Sequence, residues 1–222
     1  MDFSLFDELK ELGWFTWLCV GAAAAVVLGV VCLAANRNRK TGGARTQTHK
    51  TQALVYGALC IALSFLLSYI KLFSMPQGGS ITVASMLPLM LYAYWFGPSK
   101  GVAAGVVYGV LQFIQKPEII HWAQPVLDYI LAFGAIGLAG FFPKSLAAGI
   151  VVSGIARMFF HGLAGAIFFG EWAWEGWNVW LYGFAYNVVT VGPDVIICLI
   201  IALLPPIRKA FERIRPASAV QS

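Results

Sequence analysis

The stretch 125–142, PVLDYILAFGAIGLAGFF, is eighteen residues of almost unbroken apolar character with one acid, Asp128, in its first turn. A hydrocarbon core about 30 Å thick is crossed by about 20 such residues in a helix. A carboxylate inside such a run is costly in lipid and marks a functional group by default. The rest of the chain has the same character. Of 222 residues, 59% are apolar and only 11% charged, and the mean hydropathy is +0.76. Soluble domains carry about 25% charged residues, so this chain has too few polar groups to cover a water-facing surface. A soluble enzyme, a disordered chain and a nucleic-acid reader are excluded, and an all-α integral membrane protein is predicted.

Working outward from 125–142, six further apolar runs lie at 14–35, 53–70, 81–96, 101–115, 145–169 and 179–204. The runs 81–96 and 101–115 are short and separated only by Gly97-Pro98-Ser99-Lys100, which reads as a tight helical hairpin. The first run follows MDFSLFDELKEL, with Asp2, Asp7, Glu8 and Glu11 against Lys10. A cleaved signal peptide has a basic start, so this run reads as a retained anchor helix. With the acidic N-terminus outside, seven crossings leave the C-terminus inside. The inner side then receives Arg37, Arg39, Lys40, Arg45, Lys50, Lys100, Lys144, Arg208, Lys209, Arg213 and Arg215, which is eleven of the 15 basic residues, and of the acids only Glu212. That is the positive-inside distribution. Four segments result: an extra helix with its acidic leader over 1–35, a basic linker over 36–50, a six-helix body over 51–207 and a basic tail over 208–222. The linker either touches anionic lipid or serves only to set topology.

The polar groups inside the body are few: Asp128, Arg157, His161, Asn187 and Asp194, with Tyr129, Tyr182 and Tyr186 beside them. Asp128, His161, Tyr182 and Asn187 fall at similar depth in the outer half of three helices. Arg157, His161, Gly165 and Phe169 recur every four residues and form one stripe, with Gly165 leaving room for a flat group. Tyr182 and Asn187, five apart, cannot share one ideal helical face. Each residue also has a plain structural reading. Asp128 and Arg157 form an ion pair, His161 is a packing residue, Tyr182 is an interfacial aromatic, and Asp194, after Pro193, bonds backbone groups freed by a kink. Taken together they describe a pocket for a flat cation, with one carboxylate among rings that each add about 0.5–2 kcal/mol by cation–π attraction. The outer loop GEWAWEGW, 170–177, either covers that pocket or anchors helix ends with its tryptophans.

Small residues at four-residue spacing permit close helix approach. They occur at Ala58 and Ala62, and at Gly101, Gly105 and Gly109, where internal packing is expected. Cys19, Cys32, Cys60 and Cys198 all lie in apolar runs without a CxxC or Cys/His pair, so neither a disulfide framework nor a metal site is expected. No GxxxxGK[ST] phosphate loop is present, and Gly78-Gly79-Ser80 lacks partners for a nucleophile, so no catalytic residue is assigned.

The segments KLFSMPQGGSITVASMLPLMLYAYWFGPSKGVAAGVVYGVLQFI (71–114), AQPVLDYILAFGAIGLAG (123–140), RMFFHGLAGAIFF (157–169) and LYGFAYN (181–187) together resemble the thiamine-specific S component of energy-coupling factor (ECF) transporters, over about 53–204. The resemblance implies a six-helix, non-enzymatic subunit of the cell membrane. Such a subunit captures thiamine from outside, turns over bodily, and delivers it through a transmembrane T protein and two ATP-binding cassette ATPases, with no cofactor of its own. It implies that Asp128, Tyr129, His161, Gly165, Phe169, Tyr182 and Asn187 bind the vitamin, and that Ala58 and Ala62 dock on the T protein. Asp128 stands where some members carry the longer Glu, and Phe169 where some carry Trp. The helix over 14–35 and its linker lie outside the pattern. Other readings kept open are an S component for another flat vitamin or precursor, such as hydroxymethylpyrimidine or riboflavin, and a non-transport scaffold or channel.

Overall fold

The computed structural model describes residues 47–75, 78–216 and 219. The predicted helix over 14–35 and most of the linker over 36–50 lie outside the described residues. The first described helix, α1 (Gln47–Ser68), starts within the segment read as linker, so residues 47–50 are helical. A two-stranded antiparallel hairpin follows, β1 (Lys71–Ser74) and β2 (Ser80–Thr82). Then come α2 (Leu87–Phe96), α3 (Pro98–Gln115), α4 (Val126–Phe141), α5 (Leu146–Phe168), α6 (Val179–Leu203) and a short amphipathic α7 (Pro205–Arg213).

Thr51–Ser68, α5 and α6 are long and apolar enough to cross a membrane, and α2 and α4 are shorter apolar helices. The outer faces of these elements are apolar and uncovered: Leu54, Leu59 and Leu66 on α1, Ile155 and Phe159 on α5, and Ile196 and Ile200 on α6 are all exposed. An apolar surface of this extent belongs in lipid rather than water. Inside, α2 is buried almost end to end, with Met86, Leu89, Met90, Ala93 and Trp95 at the centre of the core.

The run 81–96, read as one span, is not one helix. Ile81 and Thr82 belong to β2, and the helix starts only at Leu87, with Pro88 in its first turn. A hydropathy reading sees continuous apolar sequence and misses the break. The turn Gly97-Pro98 does form the expected tight junction: Gly97 takes φ 88°, open to glycine without strain, and Pro98 starts α3.

The glycine ladder packs internally, as expected. A methyl at Gly105 would lie 2.2 Å from the Phe133 carbonyl oxygen, and one at Gly109 would lie 1.9 Å from that of Tyr129. The backbones of α3 and α4 therefore touch directly. Helix α4 is irregular throughout. It opens with a π-helical turn (Val126–Leu131), passes through Ala132–Gly134 and ends as a 3-10 helix (Ala135–Phe141). A π-turn inside a helix often accompanies a functional site, and this one carries Asp128 and Tyr129. By contrast Ala58 and Ala62 are exposed on α1.

Candidate functional site

A cavity of about 220 Å³ opens between the hairpin, α3, α4, α5 and α6, and all seven residues expected at the site, Asp128, Tyr129, His161, Gly165, Phe169, Tyr182 and Asn187, line it. Two of its walls come from the four-residue stripe on α5 and the π-turn of α4, which face each other.

Asp128 is the centre of the arrangement. Its Oδ1 lies 2.9 Å from His161 Nδ1 and its Oδ2 accepts from Gln124 Nε2 at 2.7 Å. The side chains of His161 and Asp128 are only 16% and 14% exposed. The expected alternative, an Asp128–Arg157 ion pair, is not what forms, because both carboxylate oxygens turn elsewhere. Arg157 instead donates from Nε to His161 Nε2 at 3.2 Å, contacts the Met86 sulfur with a terminal nitrogen, and lies over the Phe133 ring 4.4 Å from its centroid.

The aromatic wall is built by Phe169, Tyr182 and Tyr186. Tyr182 is buried, with its ring 5.5 Å from Trp174 and 5.7 Å from Tyr186, and Phe169 meets Trp172 at 5.3 Å. Two tryptophans of the outer loop thus pack on cavity residues while remaining about half exposed themselves. Tyr129 lines the cavity, but its hydroxyl donates to the Lys116 carbonyl at 2.8 Å and its ring meets Phe113 edge-on. Gly165 shares its open space with Asn187: a methyl there would stand 3.2 Å from Gly183 Cα and 3.3 Å from Asn187 Nδ2. Asn187 donates to the Gly183 carbonyl at 2.9 Å, which leaves its side-chain oxygen as acceptor for a ligand. Five residues apart, Tyr182 and Asn187 both border the cavity, reaching it from two sides.

Asp194 corrects an expectation. The helix α6 runs unbroken through Pro193, and Asp194 does not serve the kink. It reaches across to the hairpin, where Thr82 Oγ1 lies 3.1 Å from both carboxylate oxygens and 2.7 Å from Ser85 Oγ. A hydroxyl so placed donates to the carboxylate and accepts from the serine, closing the cavity floor.

Sequence reasoning did not assign several residues that shape the site, among them Gln124, which holds Asp128 without lining the cavity. Gln124 has a helical signal, four residues before Asp128. Tyr186 donates to the Gly78 carbonyl at 2.7 Å, a contact that only the hairpin reveals. Gln112 lines the cavity, and its buried side-chain nitrogen has no hydrogen-bond partner among the described residues. The interior of the cavity carries two carboxylates, Asp128 and Asp194, against one guanidinium, Arg157, for a formal charge of −1. At the mouth Lys116 and Glu118 pair at 2.6 Å beside the exposed Lys71. Among the described residues no group of His, Cys, Asp or Glu is set to hold a metal.

Fold and cavity together define a membrane-embedded helical bundle that encloses a cavity of small-molecule size. Comparison with known proteins is specific. The thiamine transporter ThiT of Bacillus subtilis (strain 168) is 32% identical over 177 residues, covering 71% of this chain and 92% of that protein. The thiamine transporter ThiT of Lacticaseibacillus paracasei is 27% identical over 166 residues, covering 64% and 80%. A solved structure of ThiT from Listeria monocytogenes superposes with a TM-score of 0.66 at 28% identity, over 73% of this chain and 98% of the other. The family described as thiamine transporter protein matches residues 54–212, and the chain belongs to it. It is a family of transporters, not enzymes.

Proposed function

We propose that this chain is the thiamine-binding subunit of an ECF-type uptake system. The observation that carries the reading is the Asp128 carboxylate, held by His161 and Gln124 in a cavity walled by Phe169, Tyr182 and Tyr186. Thiamine carries a permanently charged thiazolium ring joined to an aminopyrimidine. The carboxylate balances the first, and ring faces attract it by cation–π contact. Asn187 supplies a directional hydrogen bond to the second through its side-chain oxygen, while both His161 ring nitrogens serve to hold the carboxylate. The formal interior charge of −1 suits a monocation, whereas a neutral vitamin leaves Asp128 unpaired in a poorly hydrated site, which is costly.

The finer parts of the reading are these. Thiamine enters from outside, with the N-terminus outside and the C-terminus cytoplasmic, which agrees with the distribution of basic residues. Ala58 and Ala62 form the docking face for a T protein, and the exposure of that side of α1 supports this. Two ATP-binding cassette ATPases drive release, since this chain lacks a phosphate loop.

Titration of the purified protein in detergent with thiamine, followed by fluorescence of its eight tryptophans, tests the ligand. Saturable quenching at micromolar thiamine or below is expected, with hydroxymethylpyrimidine and riboflavin competing poorly. Absence of saturation in folded protein, or preference for riboflavin, overturns the reading.

A further inference from the structure

Arg157 lines the cavity and is held by three contacts: Nε to His161, a terminal nitrogen to the Met86 sulfur, and the guanidinium over the Phe133 ring. The direction of the His161 contact is fixed by chemistry. A guanidinium nitrogen has hydrogens and no lone pair, so it only donates. His161 Nε2 must therefore be the bare, accepting nitrogen. The ring proton then sits on Nδ1, which lies 2.9 Å from Asp128 Oδ1 and donates to it. The opposite tautomer would set an N–H against the guanidinium N–H and a lone pair against the carboxylate.

We infer that Arg157 is a positioning residue for ligand binding: it fixes the Nδ1–H tautomer of His161, which in turn clamps the Asp128 carboxylate in the orientation that faces the ligand. The chain of donors runs one way, from Arg157 through His161 to Asp128, and Gln124 Nε2 donates to the second oxygen from the other side. A carboxylate has about four lone-pair sites. Two are used by these donors, and the remainder stay available to a cation. The plane of Phe133 and the Met86 sulfur hold the guanidinium so that Nε, rather than a terminal nitrogen, addresses the imidazole.

This inference rests on the thiamine reading for its binding arm only, and that arm has a sign that separates positioning from bulk charge. Arg157 is positive, so as a mere charge it repels a cation, and its removal would tighten thiamine binding. As a positioning residue, its removal weakens binding.

The test uses the full chain labelled with 15N histidine. The His161 signals are assigned, among those of His49, His121 and His161, by their loss in His161→Gln. In ligand-free wild-type protein Nδ1 is expected protonated and Nε2 bare. In Arg157→Met the Nε2–H form appears, and thiamine affinity falls about tenfold or more, the scale of a charge-assisted hydrogen bond. Arg157→Lys, which still offers an N–H to Nε2, keeps the Nδ1–H form, and it serves if the Met variant does not fold. A wild-type Nε2–H ring, an unchanged tautomer in Arg157→Met, or tighter thiamine binding by that variant each overturn the inference. Failure of wild-type protein to bind thiamine refutes the proposed function instead, and the tautomer measurement, made without ligand, still decides the role of Arg157.

Discussion

Asp128→Asn removes one charge and almost no volume. The structure lets the rest of the site survive the change. The Asn oxygen still accepts from His161 Nδ1, and Gln124 can turn its amide so that Oε1 accepts from the new side-chain nitrogen. Among the described residues, that turn gives up the long 3.4 Å contact of Gln124 Oε1 with Ile120 N. What is lost is the attraction between the carboxylate and a cationic ring. At about 4–5 Å and an effective dielectric of about 20, two unit charges attract by about 3–4 kcal/mol. That corresponds to a loss of roughly two to three orders of magnitude in thiamine affinity. The assay is fluorescence or calorimetric titration, with circular dichroism and the unfolding midpoint as controls for fold. A neutral pyrimidine fragment of the ligand, which feels no such attraction, should lose less than about fivefold. A loss of thiamine affinity below about fivefold in well-folded Asp128→Asn would refute the idea that this carboxylate neutralises the ligand.

Other expected outcomes follow from single contacts. Gly109→Ala places a methyl 1.9 Å from the Tyr129 carbonyl oxygen, so α3 and α4 must part. A destabilisation of about 1–3 kcal/mol is expected from overpacking, read as a lowered thermal midpoint, and an unchanged midpoint would contradict the described approach. Tyr186→Phe deletes the 2.7 Å bond to the Gly78 carbonyl. Losing about 1 kcal/mol there should raise hydrogen exchange at residues 78–82 about fivefold, measured by mass spectrometry. Gln112→Leu removes a buried donor that has no partner among the described residues. Stability should hold or rise, while thiamine affinity drops about three- to tenfold if that donor meets the ligand, and calorimetry separates the two effects.

The site was legible in the sequence because polar side chains in apolar helices are costly. Asp128, His161 and Asn187 stood out against lipid, and helical spacing put Arg157, His161, Gly165 and Phe169 on one stripe that does face the cavity. Spacing could not say that Asp128 would turn to His161 rather than to Arg157, because partner choice depends on the rotation of α4. That rotation is set by a π-turn with no clear mark in composition. The hairpin stayed hidden for a different reason. ITVASMLPLML is apolar enough to pass for the start of a helix, and only the pairing of β1 with β2, including Lys71 with Thr82, makes Ser80–Thr82 a strand. Asp194 was misread as a consequence, since its partner lies on an element the sequence did not announce. The glycine ladder, in contrast, was read correctly, because a missing side chain has one plain use between helices.

Direct backbone contact between α3 and α4 also limits how such a binder can be retuned. No side chain separates the two helices at Gly105 or Gly109, so the wall bearing Asp128 and Tyr129 has no methyl to trim or extend. Substitution there shifts main chain and drags the carboxylate with it. Adaptation to a ligand of another size, by drift or by engineering, is therefore channelled to positions that project rings or amides into the hollow, such as Phe169, Tyr182 and Gln112, while the glycines act as a fixed jaw against which the rest is adjusted.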